Sequence, residues 1–136
     1  MSDLSTSEAL DAIEYFLFPN FVPWGGQGVQ ICYRFRPNGN DPQTSIMEIM
    51  LLFAHPDEGP PPPPSPVVKL GLDDTWSDTA ALGGAGMVVD QDTDNLVRIQ
   101  RGLQANKRGK VTLAAYQESR IRHFHETLEQ YLDSHR

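Results

Sequence analysis

Cysteine is nearly missing from this chain. Cys32 is the single one in 136 residues, so an internal disulfide framework is impossible. An iron–sulfur cluster held by this chain alone is excluded too, because even the mixed Cys/His type needs two thiolates. A cysteine-rich structural zinc site falls with it. Long apolar runs are also lacking; the longest is Ile49–Ala54, far short of a membrane span. The start, MSDLSTSEAL, has neither a basic region nor an apolar stretch of the secretory kind. These absences lead us to expect a soluble, cytoplasmic protein. No His-x₃-His pair occurs either. His123 and His125 are two apart on an expected helix and point in different directions. His55 opens a proline-rich loop and His135 sits at the end, so all four histidines are read as surface or helix-end residues.

What is present is an ordinary globular balance, 39% apolar and 21% charged, in a length that suits one domain with its own core. The formal charge of −7 is unevenly spread. Seven basic residues lie between Arg98 and Arg122 against one acid, Glu118. No aromatic interleaving or nucleic-acid motif accompanies them, so a solvated basic surface is expected rather than a nucleic-acid site.

Periodicity supplies the elements. Ser5–Ile13 carries a short helical signal with Ser5 or Ser7 as cap. Phe16–Val22 reads as a strand despite Pro19, closed by a turn at Pro23, Gly25 and Gly26. Val29–Pro37 alternates, with Val29, Ile31, Tyr33 and Phe35 on one face. The Asn-Gly of PNGNDP signals a hairpin, with six residues between Arg36 and Gln43 suggesting a longer loop. Thr44–Phe53 follows as a strand covered on both sides, completing a three-stranded antiparallel meander. Pro56–Pro66 holds seven prolines and reads as a stiff polyproline-II connection. Val67–Leu72 suggests a short strand, Asp73–Leu82 a turn-rich or briefly helical stretch around Trp76, and GGAG (Gly83–Gly86) a flexible approach to the next helix. That GGAG has neither the Lys-Ser/Thr nor the spacing of a phosphate loop.

Val88–Leu103 concentrates the chemistry. Asp90, Asp92 and Asp94 fall within five residues, and Leu96, Ile99, Gln100 and Leu103 then recur at helical steps. The acids fit a well-started helix, favoured by its unpaired N–H groups. Alternatively one is a metal ligand: Asp92 opens an Asp-x-x-Asn pattern with Asn95 and can complete a non-haem iron site. Val111–Leu132 is the last element, a helix of more than twenty residues with Leu113, Phe124, Leu128 and Tyr131 on one face. Strands followed by a long amphipathic helix predict an α+β fold with that helix laid across an antiparallel sheet.

Four segments together resemble one family: LFPN (Leu17–Asn20), ICYRFRPNG with MEIMLL (Ile31–Gly39, Met47–Leu52), VDQDTDNLVRIQRGL (Val89–Leu103) and YQESRIRHFH (Tyr116–His125). They resemble, in order, the C-terminal half of the catalytic domain of Rieske-type non-haem iron aromatic ring-hydroxylating dioxygenase α subunits. The resemblance implies a helix-grip (START-like) fragment over residues 1–136, without the Rieske domain and the histidine-bearing helix. It implies Fe(II) held by two histidines and one aspartate, here Asp92, with Asp90 as the other candidate. It places Phe18, Leu82, Val88 and Val89 at the substrate pocket, and Gln91 and Asn95 beside the ligand. It further implies an aromatic substrate and O₂, a [2Fe–2S] cluster in the absent Rieske half, and a ferredoxin or reductase as electron donor. A homotrimer or a β subunit would complete the assembly, and the isolated chain is expected to be inactive. A non-catalytic module binding an apolar ligand, or an assembly subunit, is the alternative expectation.

Overall fold

The computed structural model describes residues 4–26, 30–53 and 58–134. Its elements are α1 (Thr6–Leu10), β1 (Ile13–Glu14), β2 (Phe21–Gly25), β3 (Ile31–Asn38), β4 (Asp41–Leu51), a 3₁₀ turn at Trp76–Asp78, α2 (Ala85–Ala105) and α3 (Ser119–Asp133). The fold is α+β, as the pattern predicted, with a four-stranded antiparallel sheet in the order β1-β2-β3-β4. Two compact units divide the chain: residues 1–62 with 124–136, and residues 63–123.

In the first unit, Ser5 caps α1. Its hydroxyl accepts from the Glu8 N–H at 3.2 Å while the Glu8 carboxylate accepts from the Ser5 N–H at 2.9 Å, which satisfies two of the N–H groups a helix start leaves open. The strand expected over Phe16–Val22 divides at Pro19. Residues 18–20 form a turn, Leu17 bridges Phe21, and β2 begins only at Phe21. Pro23 is therefore inside a strand rather than in a turn. It faces Cys32 in the ladder. The β3–β4 connection is tighter than the loop length suggested. Asn38 pairs with Asp41, leaving Gly39 and Asn40 as the turn, and Gly39 supplies the positive φ of 63°.

Alternation along β3 behaves as read: Ile31 is buried and Tyr33 and Phe35 half-buried, while Arg34 and Arg36 are exposed. Cys32, on the polar side of that alternation, is nevertheless buried. β4 does not have two covered faces; Ile46 is exposed and Met47–Leu51 are half-buried. The register places Glu48 opposite Arg34. Period-2 geometry puts Arg36 on the same face, so both guanidinium groups close on one carboxylate, at 2.5 and 2.6 Å. Phe16 and Phe18, on the corner leading into β2, meet α3. Phe16 meets Phe124 edge-on at 5.3 Å, and Phe18 lies 5.7 Å from Tyr131.

The C-terminal helix is shorter than its periodicity implied, starting at Ser119 rather than near Val111. Side chains take the backbone groups that an earlier start would have paired. Arg122 donates to the Ala114 and Ala115 carbonyls, each at 2.6 Å, and Glu118 accepts from the Ala114 N–H. α2, with 21 residues, is the longest helix among those described. Residues 60–71 form neither helix nor strand, so no strand occurs at Val67–Leu72. The expectations for His55 and His135 lie outside the described residues. His123 and His125 are exposed. Among the described residues, no helix is long and apolar enough to cross a membrane.

Candidate functional site

α2 lies in the second unit, and the three acids separate there into different roles. Asp90 is turned back onto the 3₁₀ turn. Its Oδ1 accepts the Trp76 N–H at 2.6 Å and its Oδ2 the Ser77 N–H at 3.1 Å. Hydrogen bonding from the Ser77 side chain holds the Asp90 carboxyl below its usual range. Desolvation works against this, and the two backbone N–H groups add to the lowering. Asp90 thus occupies the N-terminal end of the 3₁₀ turn, where open N–H groups point outward. Asp94 pairs with Arg98 one turn along α2 at 2.8 Å, an exposed ion pair of the ordinary i,i+4 kind. The Asp92 side chain makes no hydrogen bond or ion pair with any described residue and is exposed.

The contact between α2 and the 3₁₀ turn depends on Gly86. A Cβ there would lie 2.7 Å from Ser77 Cα and 2.8 Å from the Trp76 carbonyl oxygen, inside any ordinary non-bonded distance. Only glycine lets the two backbones approach this closely. Gly86 is therefore inside the helix and closely packed, not part of a flexible approach to it. Val89, one turn on, is 2% exposed and is the buried apolar side chain of this unit.

A second row of apolar residues on α2 looks another way. At about 100° per residue, Val88, Asp92, Leu96, Ile99 and Leu103 share one side of the helix, while Gly86 and Asp90 lie on another. Leu96, Ile99 and Leu103 are 50%, 53% and 46% exposed. Asp92 therefore sits within a half-exposed apolar face. Asn95 follows it by three residues on an adjoining row, and Gln91 lies about a quarter-turn round; both are exposed.

Of the other residues expected at a pocket, Val88 is exposed beside Asp92, Val89 is covered beneath the 3₁₀ turn, and Leu82 is half-buried just before α2. Phe18 belongs to the sheet unit, against Phe124 and Tyr131. A shallow hollow of about 160 Å³ in the sheet unit is lined by α1 and β1–β2 residues such as Glu8, Asp11 and Tyr15, and by none of these four. Among the described residues, no three His, Cys, Asp or Glu side chains come together as a metal site. The residues present thus fit one carboxylate ligand and do not complete a coordination set.

The sequence did not point to Gly86 as a contact, to the Asp90 cap, or to the Arg34–Glu48–Arg36 clamp. The i,i+4 spacing of Gly86 and Asp90 was the one available sign, and it needed the position of Trp76 to acquire meaning.

A family model for the ring hydroxylating alpha subunit (catalytic domain) matches residues 2–134. Comparison with curated proteins and with solved structures gives no match. The family match takes in both compact units and every segment considered above, and on that extent the chain belongs to the ring hydroxylating alpha subunit family, in its catalytic domain.

Proposed function

We propose that this chain supplies the carboxylate of a mononuclear Fe(II) site in an aromatic ring-hydroxylating dioxygenase, and that Asp92 is the ligand. The observation that carries this reading is the position of Asp92: an unpartnered carboxylate among the described residues, in the middle of a helix face whose apolar side chains are about half exposed. Once such a face is covered, a bare carboxylate is costly unless a cation or metal meets it. Asp90 is the weaker candidate because both of its oxygens already accept backbone N–H groups.

In this reading the other two ligands are histidines outside these 136 residues. Bound by them and Asp92, Fe(II) supplies the activation of O₂ for insertion into an aromatic ring. The chain's own residues then have definite tasks. Asp92 holds the metal from one side. The Asn95 amide, and Gln91 beside it, fix the carboxylate orientation by hydrogen bonding. Val88 and Leu82 present apolar surface to the ring and keep water out, and Val89 backs that wall from beneath. A [2Fe–2S] Rieske centre outside these residues would supply the electrons, fed by a ferredoxin or reductase, in a cytoplasmic assembly built as a trimer or with a β subunit.

The experiment is to supply an aromatic substrate, O₂ and reductant to the purified chain alone. The same is then done for the chain combined with a half that carries the Rieske cluster and two histidines. Turnover in the combination, absent from the chain alone and lost with Asp92→Ala, is the expected result. Wild-type turnover by the combined Asp92→Ala variant, or turnover by the chain alone, overturns the proposal.

A further inference from the structure

The oxygenase reading makes no use of the proline segment. Six prolines occupy positions 60–64 and 66, and every residue from 60 to 69 is exposed. No hydrogen bond joins residues 60–70 to any other described residue, and the segment is neither helix nor strand. Val67 and Val68 extend this exposed run with apolar side chains, at 83% and 58%.

Backbone chemistry decides what such a segment can bind. Proline fixes its own φ and pushes the residue before it out of the helical region. Pro60–Pro63 each precede another proline, and Ser65 precedes Pro66, so the run is held extended before any partner arrives. Seven residues at ~3.1 Å each make a rod of ~22 Å with three-fold symmetry. Its prolines offer carbonyl acceptors and no N–H donors, so a strand edge cannot pair with it. A partner must instead bring the donors itself, together with flat apolar surfaces for the rings. Trp and Tyr side chains carry both, an aromatic face and an N–H or O–H. Little ordering entropy is lost on binding because the rod is preformed.

We propose that residues 60–66 are a docking site for a protein module whose groove is lined by Trp and Tyr side chains. The probe is an isotope-labelled WW domain, titrated with the full chain and followed by chemical-shift changes. Saturable shifts confined to the groove aromatics, in the sub-millimolar range, are the expected result. The variant Pro61→Gly/Pro62→Gly/Pro63→Gly is expected to bind about tenfold more weakly, about 1.4 kcal/mol, with an unchanged circular dichroism spectrum. Absence of saturable shifts, shifts away from the groove, or equal binding by the triple variant overturns the proposal.

Discussion

Adding one methyl group at Gly86 tests how the second unit is held together. An alanine Cβ there would stand 2.7 Å from Ser77 Cα, 2.8 Å from Trp76 O and 2.9 Å from Ser77 N. Carbon atoms need about 3.5–4.0 Å, so α2 and the 3₁₀ turn must part by roughly 1 Å. The obstructing atoms are backbone and cannot swing aside. That movement carries the Trp76 and Ser77 N–H groups, now 2.6 and 3.1 Å from Asp90, towards or past the limit of a hydrogen bond. Overpacking of this kind costs about 1–3 kcal/mol. Alanine's higher helix propensity returns at most ~1 kcal/mol, and less in a first turn. The net expectation for Gly86→Ala is a loss of about 1–2 kcal/mol. Gly102, on the same helix, has nothing within 4 Å of its added Cβ, so Gly102→Ala should gain up to ~1 kcal/mol. Urea titration followed by circular dichroism measures both, and hydrogen exchange at the Trp76 and Ser77 amides reports the local contact. Gly86→Ala matching Gly102→Ala in stability, with those two amides still protected, would refute the reasoning.

Val89→Ala removes two buried methyl groups from a site that is 2% exposed and should cost about 2 kcal/mol by urea titration; a change near zero would mean that the side chain is not packed. The two arginines hold Glu48 well below an ordinary carboxylate, at about 2, with hydrogen bonding from Arg34 the larger cause and that from Arg36 next. A depressed folded-state pKa stabilises fully above the unfolded value, about 4.3, and the contribution is lost as pH falls towards about 2. Wild-type stability should therefore drop through that window more steeply than that of Glu48→Gln, and parallel curves would contradict the clamp. Phe124→Ala removes the ring that meets Phe16 and Phe18 and should cost the sheet unit about 1–3 kcal/mol, read as a lowered melting temperature, whereas Phe124→Leu should recover part of it.

The parts of the fold that could be read from the sequence rest on local rules. Ser5 with Glu8 is a capping pair three residues apart, Ile31–Phe35 alternates cleanly, and Asn-Gly marks the hairpin. Each needs only neighbours along the chain. The misplacements have separate causes. Val111–Leu132 has helical periodicity throughout, but Arg122 and Glu118 capture the backbone of Ala114 and Ala115 and delay the helix. Val67–Leu72 has strand composition but no pairing partner among the described residues. Pro19 turns the chain, and β2 starts after it. At the site, three closely spaced acids could not be ranked from spacing. They divide into a cap (Asp90), an ion-pair partner (Asp94) and an unpartnered carboxylate (Asp92), and the role of Asp90 depended on where Trp76–Ser77 lies.

The iron content of the combined halves tests most directly whether the half-exposed face of α2 carries a ligand. Wild-type chain, Asp92→Ala and Asp90→Ala would each be mixed with Fe(II) and the histidine-bearing half, freed of loose metal, and assayed for bound iron. Retention by the wild type with a sharp loss in Asp92→Ala alone is the result expected. Equal iron in the wild type and Asp92→Ala would contradict the account at its centre.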